Sequence, residues 1–443
     1  MAREFKDSGI EWIGQIPKEW EIVPFKAYFT TGKGLSFTKA DLTPQGHAVV
    51  SYGQVHSKVN TGTRLDDNLL RYIPDSITEN GDASMMNKGD FIFADTSEDL
   101  EGCGNCVYVD RDIELYAGYH SVTVKPKVQY DNKYFAYYFQ TPCWRSQIRS
   151  RVTGIKVYSI SQSIINKTII FVPPLSTQQK IADYLDKVCG EVDEMVALQE
   201  TMIEELKAYK QSVITEAVTK GLNPNVPMRN SGIDWIGEIP EHWEVIKLSF
   251  LTSKIGSGST PTGGANVYVH EGVKFLRSQN VYFEGLNLND VAFITETIDE
   301  EMKGTRVKPG DVLLNITGGS IGRCYYVDES LGRANVSQHV SIIRPTKIET
   351  IYLKYSLQSD LGQNQIALLQ TGGNREGLSA AALSNFKILF PPMSEQRTIA
   401  SYLDTKCSEI DSLIALKQTK IEELKEYKKS VIYEYVTGKK EVC

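Results

Sequence analysis

Two stretches of the chain carry apolar side chains at alternating spacings of three and four. The first runs through Ile181, Leu185, Val188, Val192, Met195, Met202, Leu206, Tyr209 and Val213, with Gln199 alone breaking the track. The second runs through Ile399, Leu403, Ile410, Leu413, Leu424, Tyr427 and Val431. There Lys406, Lys417 and Lys420 interrupt the track, while Ile414 and Ile421 on the neighbouring one compensate. The spacing predicts two amphipathic helices of about 40 residues, roughly 60 Å each at 1.5 Å per residue. Helices of that length with one apolar seam call for a partner helix rather than an ordinary core position. The nearest partner is the other copy, packed antiparallel. Leu185, Val192, Leu206, Tyr209 and Val213 would then face Leu403, Ile410, Leu424, Tyr427 and Val431 in a coiled coil. Each helix opens after a Pro-Pro pair, with Ser176 and Gln179 fitting a capping box where Ser394 and Arg397 do not. Asn223-Pro224 and Pro227 end the first one.

Between these helices the pattern changes to short apolar runs, such as Phe91-Ile92-Phe93, Val312–Leu314 and Ser341-Ile342-Ile343, punctuated by Gly, Asn and Asp. These read as strands and turns. One helix is expected around 132–150 and another around 351–370. The expectation is an α+β fold of two strand-rich modules separated by two long antiparallel coiled-coil helices.

The modules are copies. DSGIEWIGQIPKEWE at 7–21 returns as NSGIDWIGEIPEHWE at 230–244. VPPLSTQQKIADYLD at 172–186 returns as FPPMSEQRTIASYLD at 390–404, and LKAYKQSVITE at 206–216 as LKEYKKSVIYE at 424–434. Between them Gly89-Asp90 falls on Gly310-Asp311, His120 on His339 and Thr153-Gly154 on Thr371-Gly372. This collinear internal repeat predicts a pseudo-two-fold scaffold. Its segments are an N-terminal repeated segment (1–20), a first module (21–172), a central helix (173–220), a linker with the second repeated segment (221–243), a second module (244–390) and a C-terminal helix (391–443).

Composition adds constraints. In 443 residues, 41% are hydrophobic and 23% charged, as in a globular protein. No apolar run reaches the roughly 18 residues of a membrane span, and the start lacks a secretory signal. Seven scattered cysteines fit reduced thiols in the cytoplasm. A net charge of −7 gives nucleic acid no general attraction, and residues 21–172 and 244–390 each carry equal numbers of acidic and basic side chains. Within the first module the acids Asp95, Glu98, Asp99 and Glu101 precede a basic stretch (Arg145, Arg149, Arg151, Lys156, Lys167), a separation compatible with one negative and one positive face.

No constellation is catalytic. The glycine-rich stretches lack a GK[ST] ending, and the Pro-Pro pairs lack the Asn/Asp-Pro-Pro-aromatic box of an amino-methyltransferase. Glu205-Leu-Lys207 and Glu423-Leu-Lys425 lie on the helices as solvated charges, and Cys103-x-x-Cys106 has no second pair with which to hold zinc. No catalytic, cofactor-binding or metal residue is expected.

The paired D/N-S-G-I-x-W-I-G segments, the paired P-P-[LM]-S-x-Q openings, the two L-K-x-Y-K-x-S-V-I-x-E stretches and the Val218-Thr-Lys-Gly221 and Val436-Thr-Gly438 helix ends carry a resemblance. Nearly the whole chain resembles the specificity subunit of type I restriction–modification systems. The resemblance implies a non-catalytic subunit whose two target-recognition domains each read half of a bipartite DNA sequence. The helices would set the spacing and dock two methyltransferase subunits, with restriction/translocase subunits as further partners. It places S-adenosylmethionine and ATP/Mg chemistry in those partners. A coiled-coil scaffold whose modules bind proteins is the alternative reading.

Donor-rich loops aligned between the copies supply candidate DNA contacts. In the first module these are Lys33, Lys39, Ser51, Tyr52, Gln54, His56, Thr96, Ser97, His120, Lys156 and Tyr158. In the second they are Ser257, Ser259, Thr260, Arg277, Ser278, Gln279, Asn280, Thr317, Ser320, Arg323, Gln338, His339, Asn374 and Arg375. Gln54, Arg277, Gln279, Asn280 and Arg375 carry the side chains best suited to bidentate base reading.

Overall fold

The computed structural model describes residues 3–10, 13–79, 81–128, 130–369 and 377–442. It divides into two compact units, Met1–Gln199 with Thr419–Cys443, and Glu200–Gln418. Each unit holds one module and a segment of each long helix, which span Leu175–Lys220 and Met393–Val436.

The repeated N-terminal segments fold as hairpins, Phe5–Asp7 with Gln15–Pro17 and Met228–Asn230 with Glu238–Pro240. The D/N-S-G motif explains the turn. The Asp7 carboxylate accepts from Gly9 N at 2.9 Å, and the Asn230 side-chain oxygen accepts from Gly232 N at 2.8 Å. Such side-chain turns let the following glycine take positive φ, +70° and +76° here. The motif's last tryptophans, Trp20 and Trp243, are fully buried.

Each module is built on a four-stranded antiparallel sheet. In the first its order is Cys106–Tyr108, Phe91–Ala94, Ser121–Pro126, Phe29–Lys33; in the second, Cys324–Tyr326, Val312–Asn315, Val340–Pro345, Thr252–Ser257. Alternate residues of one strand enter different cores, which explains the unbroken apolar runs. Phe91 and Phe93 join the aromatic core beneath the helices, while Ile92 and Ala94 face a second sheet. Val312 and Leu314 are divided from Leu313 in the same way. In the second sheets His47–Val50 pairs parallel with Leu115–Ala117, and Val273–Leu276 with Ala334–Val336. The helix expected around 132–150 is two, Asn132–Tyr138 and Pro142–Arg149, and that around 351–370 is also two, Thr350–Gln358 and Asp360–Leu369.

Repeated side chains fasten each module to its helices. Gln178 donates to Pro173 O at 2.8 Å and accepts from Asp131 N at 2.9 Å. Gln396 makes the same pair with Pro391 O and Glu349 N. The P-P-x-S-x-Q motif is therefore a clamp between helix starts, and its glutamine, not a capping box, is its working part. Tyr137 and Tyr355 donate to Asp186 and Asp404 at 2.6 and 2.7 Å.

Within each unit the two helical segments run antiparallel. Tyr184 stacks near Tyr435 and Lys428 meets Asp193 at 2.6 Å in the first; Lys210 meets Asp411 at 2.7 Å in the second. The seam differs from the heptad expectation. Leu185, Val192, Leu403, Ile410, Leu424 and Val431 are buried, Leu206 and Val213 are half-buried, but Tyr209 and Tyr427 are 54% and 53% exposed. The most regular buried positions are Ile181, Val192, Ile203 and Ile214, and Ile399, Ile410, Ile421 and Ile432. These recur every eleven residues. An α-helix turns about 100° per residue, so eleven residues drift about 20° in the sense opposite to the roughly 20° of seven, and less per residue. Tyr209 and Tyr427 fall outside this seam and face solvent. Lys406 and Lys420 lie outside the seam, paired with Glu409 and Glu423.

Candidate nucleic-acid interface

The parallel strands decide which loops meet. Because His47–Val50 and Leu115–Ala117 run together, the residues following both, 51–56 and 118–120, leave from one end. Ser121 pairs with Ala94, so the chain after Phe91–Ala94 emerges beside His120, whose carbonyl accepts from Asp95 N at 3.1 Å. Val122 pairs with Lys33, and Tyr158–Ser159 pairs with Thr96–Ser97. Five loops distant in sequence thus converge.

They surround a cleft of about 840 Å³ lined by Tyr52, His56, Thr96, Ser97, His120 and Val157, together with Glu98, Asp99, Glu101 and Arg145. An adjoining cleft of about 610 Å³ is lined by Lys33, His120 and Gln162. Lys156 and Tyr158 flank Val157 in sequence, Lys156 exposed; Lys39 is exposed in a separate short turn. His56 donates through Nε2 to Thr96 O at 2.7 Å, leaving Nδ1 to accept from Asn105 at 3.2 Å. His120 is the one non-glycine residue at positive φ among the described residues (+53°), with Nδ1 3.3 Å from Asp95.

Three candidates of this module serve structure. Ser51 is buried and starts a short helix, where its backbone N–H donates to Gln54 Oε1 at 3.2 Å, committing that amide to the turn. Ser97 is buried and donates to Asp99 O at 2.7 Å. The separated faces are not formed either. Arg145 donates to Phe139 O, Asn105 and Gln140, and Arg149 donates to Glu101 O, so the basic stretch closes onto the acidic loop. Burial lowers the Arg145 guanidinium to about 10. Cys103 and Cys106 are buried free thiols, Cys106 pushed up to about 12 by burial, and the described residues hold no metal-ligating cluster.

The second module repeats the convergence with other side chains. Ser257 pairs with Ser341, Asn315 with Val340 and Leu276 with Val336, bringing 257–260, 277–280, 316–323 and 337–339 to one end. Ser51 and Arg277 hold equivalent places, as do Tyr119 and Gln338. Arg277 lies over Tyr268 and donates to Asp290 O at 2.8 Å, while Gln279 donates to the Asp290 carboxylate at 2.5 Å. Arg323 lies 4.9 Å over the Tyr282 ring. Ser320 accepts from the buried Asn315 amide at 3.2 Å, and that amide also donates to Ser278 O at 2.8 Å. Thr260, Gln338, His339 and Thr317 form one hydrogen-bonded chain. Ser259 is half-buried beside it. Asn280 does not project: it is 1% exposed, and its amide accepts from Arg277 N and donates to Asn287 O. Asn374 and Arg375 lie outside the described residues.

Sequence reasoning missed Asp95, Asn105, Tyr268, Tyr282 and Asp290. Each orients a candidate from a distant loop, and only the acidic run around Asp95 gave a signal.

Comparison with known proteins defines the class. The profile of the type I restriction modification DNA specificity domain matches twice, at residues 17–208 and 240–426. The chain belongs to this family, whose members recognise DNA sequence and leave catalysis to other subunits. It is 29% identical over 302 residues to the MjaVIII specificity subunit of Methanocaldococcus jannaschii, covering 66% of this chain and 67% of that one. It is 22% identical over 432 residues to the EcoKI specificity subunit of Escherichia coli K12, covering 91% and 86%. Its fold matches a chain of a type I R-M system with a TM-score of 0.72 at 16% identity, covering 95% and 98%. It also matches the HsdS subunit from Thermoanaerobacter tengcongensis, with a TM-score of 0.52 at 17% identity, covering 98% and 99%.

Proposed function

We propose that the two loop clusters each read one half of a bipartite duplex target, and that the paired helices set the spacing between halves and dock two methyltransferase subunits. The observation that carries this reading is the duplication: one framework presents Tyr52 and Tyr119 in one copy and, at the equivalent places, Ser278 and Gln338 in the other. Equivalent positions with different donors and acceptors suit two different base sequences. Modules with balanced charge supply little general attraction to phosphate, so tight binding depends on the assembled methyltransferase closing on the duplex. Restriction/translocase subunits would join the same assembly. S-adenosylmethionine and ATP with Mg belong to these partners, and the complex works in the cytoplasm. Among the described residues no helix is long and apolar enough to cross a membrane.

The test is an exchange of residues 21–172 with those of a homologue of different specificity. Mapping methylated sites in a host with the whole system should show one half of the motif replaced and the other retained. Replacement of both halves overturns modular reading. Equal affinity of the isolated chain and the assembled methylase overturns the dependence on assembly.

A further inference from the structure

The hydrogen-bonded chain at the tip of the second module holds the Gln338 amide from two sides. Thr260 Oγ1 donates to Gln338 Oε1. Gln338 Nε2 then lies 2.9 Å from His339 Nε2. An amide nitrogen only donates, so the imidazole must accept at Nε2 and carry its hydrogen on Nδ1. That hydrogen points along the 2.6 Å contact to Thr317 Oγ1.

A glutamine amide has two N–H groups and two oxygen lone pairs. His339 takes one N–H and Thr260 one lone pair, so one donor and one acceptor remain uncommitted on an exposed side chain. One donor beside one acceptor complements the adenine edge in the major groove, which offers N7 as acceptor and the N6 amino group as donor. Guanine offers two acceptors there, and neither pyrimidine offers both kinds. Holding the amide from both sides in advance removes the ordering cost that a free glutamine meets on binding.

The first module lacks the device. Tyr119 holds the equivalent place, edge-on to Phe37 at 5.0 Å, and His120 faces Asp95 instead of an amide. Among the described residues the other side chains suited to base reading are held elsewhere: Asn280 is buried, Gln54 accepts within a helix cap, and Arg277 and Gln279 are tied to Asp290.

We infer that Gln338 is a specificity-determining residue of the second module, reading one adenine of its half-site, with His339 and Thr260 as positioning residues that set the amide's sense. This rests on the DNA-recognition reading and adds a residue and a base to it.

Methylation mapping with the complete system tests it. Gln338→Ala should relax one position of one half-site, with adenine preference there falling roughly tenfold or more. Gln338→Glu, which only accepts, should move that position toward cytosine, whose N4 amino group donates. His339→Ala should loosen the same position, and His339→Gln, which restores an acceptor, should recover it. An unchanged motif for Gln338→Ala, or altered letters in the other half, overturns the proposal. If a variant methylates nothing, selection of bound duplexes with the assembled complex replaces the readout, and uniform loss of all letters overturns the proposal. A wild-type complex that marks no bipartite motif defeats the DNA-recognition reading instead.

Discussion

The second sheets of the two modules share the order of three strands and a parallel pair, and each buries an apolar cluster in the layer above. The second module adds a buried carboxylate there. In the first module Val49, Ile73 and Tyr116 are buried with Leu35, flanked by Ile77 and Met85. In the second, Val273, Phe275, Ile294 and Met302 form the matching cluster. There, however, Asn335 takes the register place of Tyr116, and the fully buried Asp299 accepts from Arg306 at 2.8 Å, from Asn335 at 3.1 Å and from Arg333. Arg306 and Arg333 reach outward to Glu300 and Glu296. Losing buried apolar atoms leaves a cavity around which neighbours relax only in part. Losing a member of the ionic group leaves buried charge or polar groups uncompensated, a cost that depends on pH. The duplicated scaffold therefore tolerates divergence in chemistry as well as in loop tips.

The largest expected effect is on the ionic side. Asp299→Ala takes the shared acceptor from Arg306, Arg333 and the buried Asn335 amide and should destabilise the second module by about 3–5 kcal/mol. Hydrogen exchange in Val273–Leu276 should rise accordingly while Phe91–Ala94 stays protected. Ile73→Ala should cost the first module about 2–4 kcal/mol, with little dependence on salt or pH. If the two costs respond alike to pH, the contrast between the layers is wrong.

Acid sharpens the comparison. Burial pushes the Asp299 carboxyl up, but hydrogen bonds from Arg306, Asn335 and Arg333 outweigh it and hold the group below the ordinary carboxylate range. Its contribution is present above the unfolded value, about 3.9, and is lost as pH falls through the lowered folded value. Asp90 shifts the other way, raised by burial despite the hydrogen bond from Asn87 N and the charge of Lys125. Its contribution is complete below the unfolded value and is lost as pH rises through the raised one. Acidification should thus loosen the second module first, measured by exchange corrected for its intrinsic pH dependence. The smallest effects belong to the exposed seam tyrosines: Tyr209→Ala and Tyr427→Ala should each change stability by less than about 0.5 kcal/mol in thermal melts of the isolated chain.

What the chain discloses in sequence is what is local or repeated. The strands at Phe91–Ala94 and Val312–Asn315 and both long helices follow from spacing and turn residues, and the segments at 7–21 and 230–244 stand out by their repetition. The clamp through Gln178 and Gln396 was hidden because each partner lies some 47 residues away. The closure of Arg149 onto Glu101 was hidden for the same reason, whereas Asn280 and Gln338 are tied to near neighbours, Arg277, Asn287 and His339. A polar side chain in a loop looks alike whether it caps its own turn or faces outward, until the loops are brought together.

The eleven-residue seam also constrains how such a protein changes length. Seven added residues would leave the inserted stretch slightly out of phase, and four would rotate the downstream face by about 40° at 100° per residue. Eleven lie about 20° beyond three turns but continue the period of the buried isoleucines themselves. If the helices are the ruler, matched insertions of eleven in both would lengthen it by about 16 Å, close to half a turn of duplex. A half-turn would carry one reading surface to the opposite side of the DNA. The graduation that best preserves the coil is thus poorly matched to the groove, and viable spacer variants should use smaller insertions that accept a local defect in the seam.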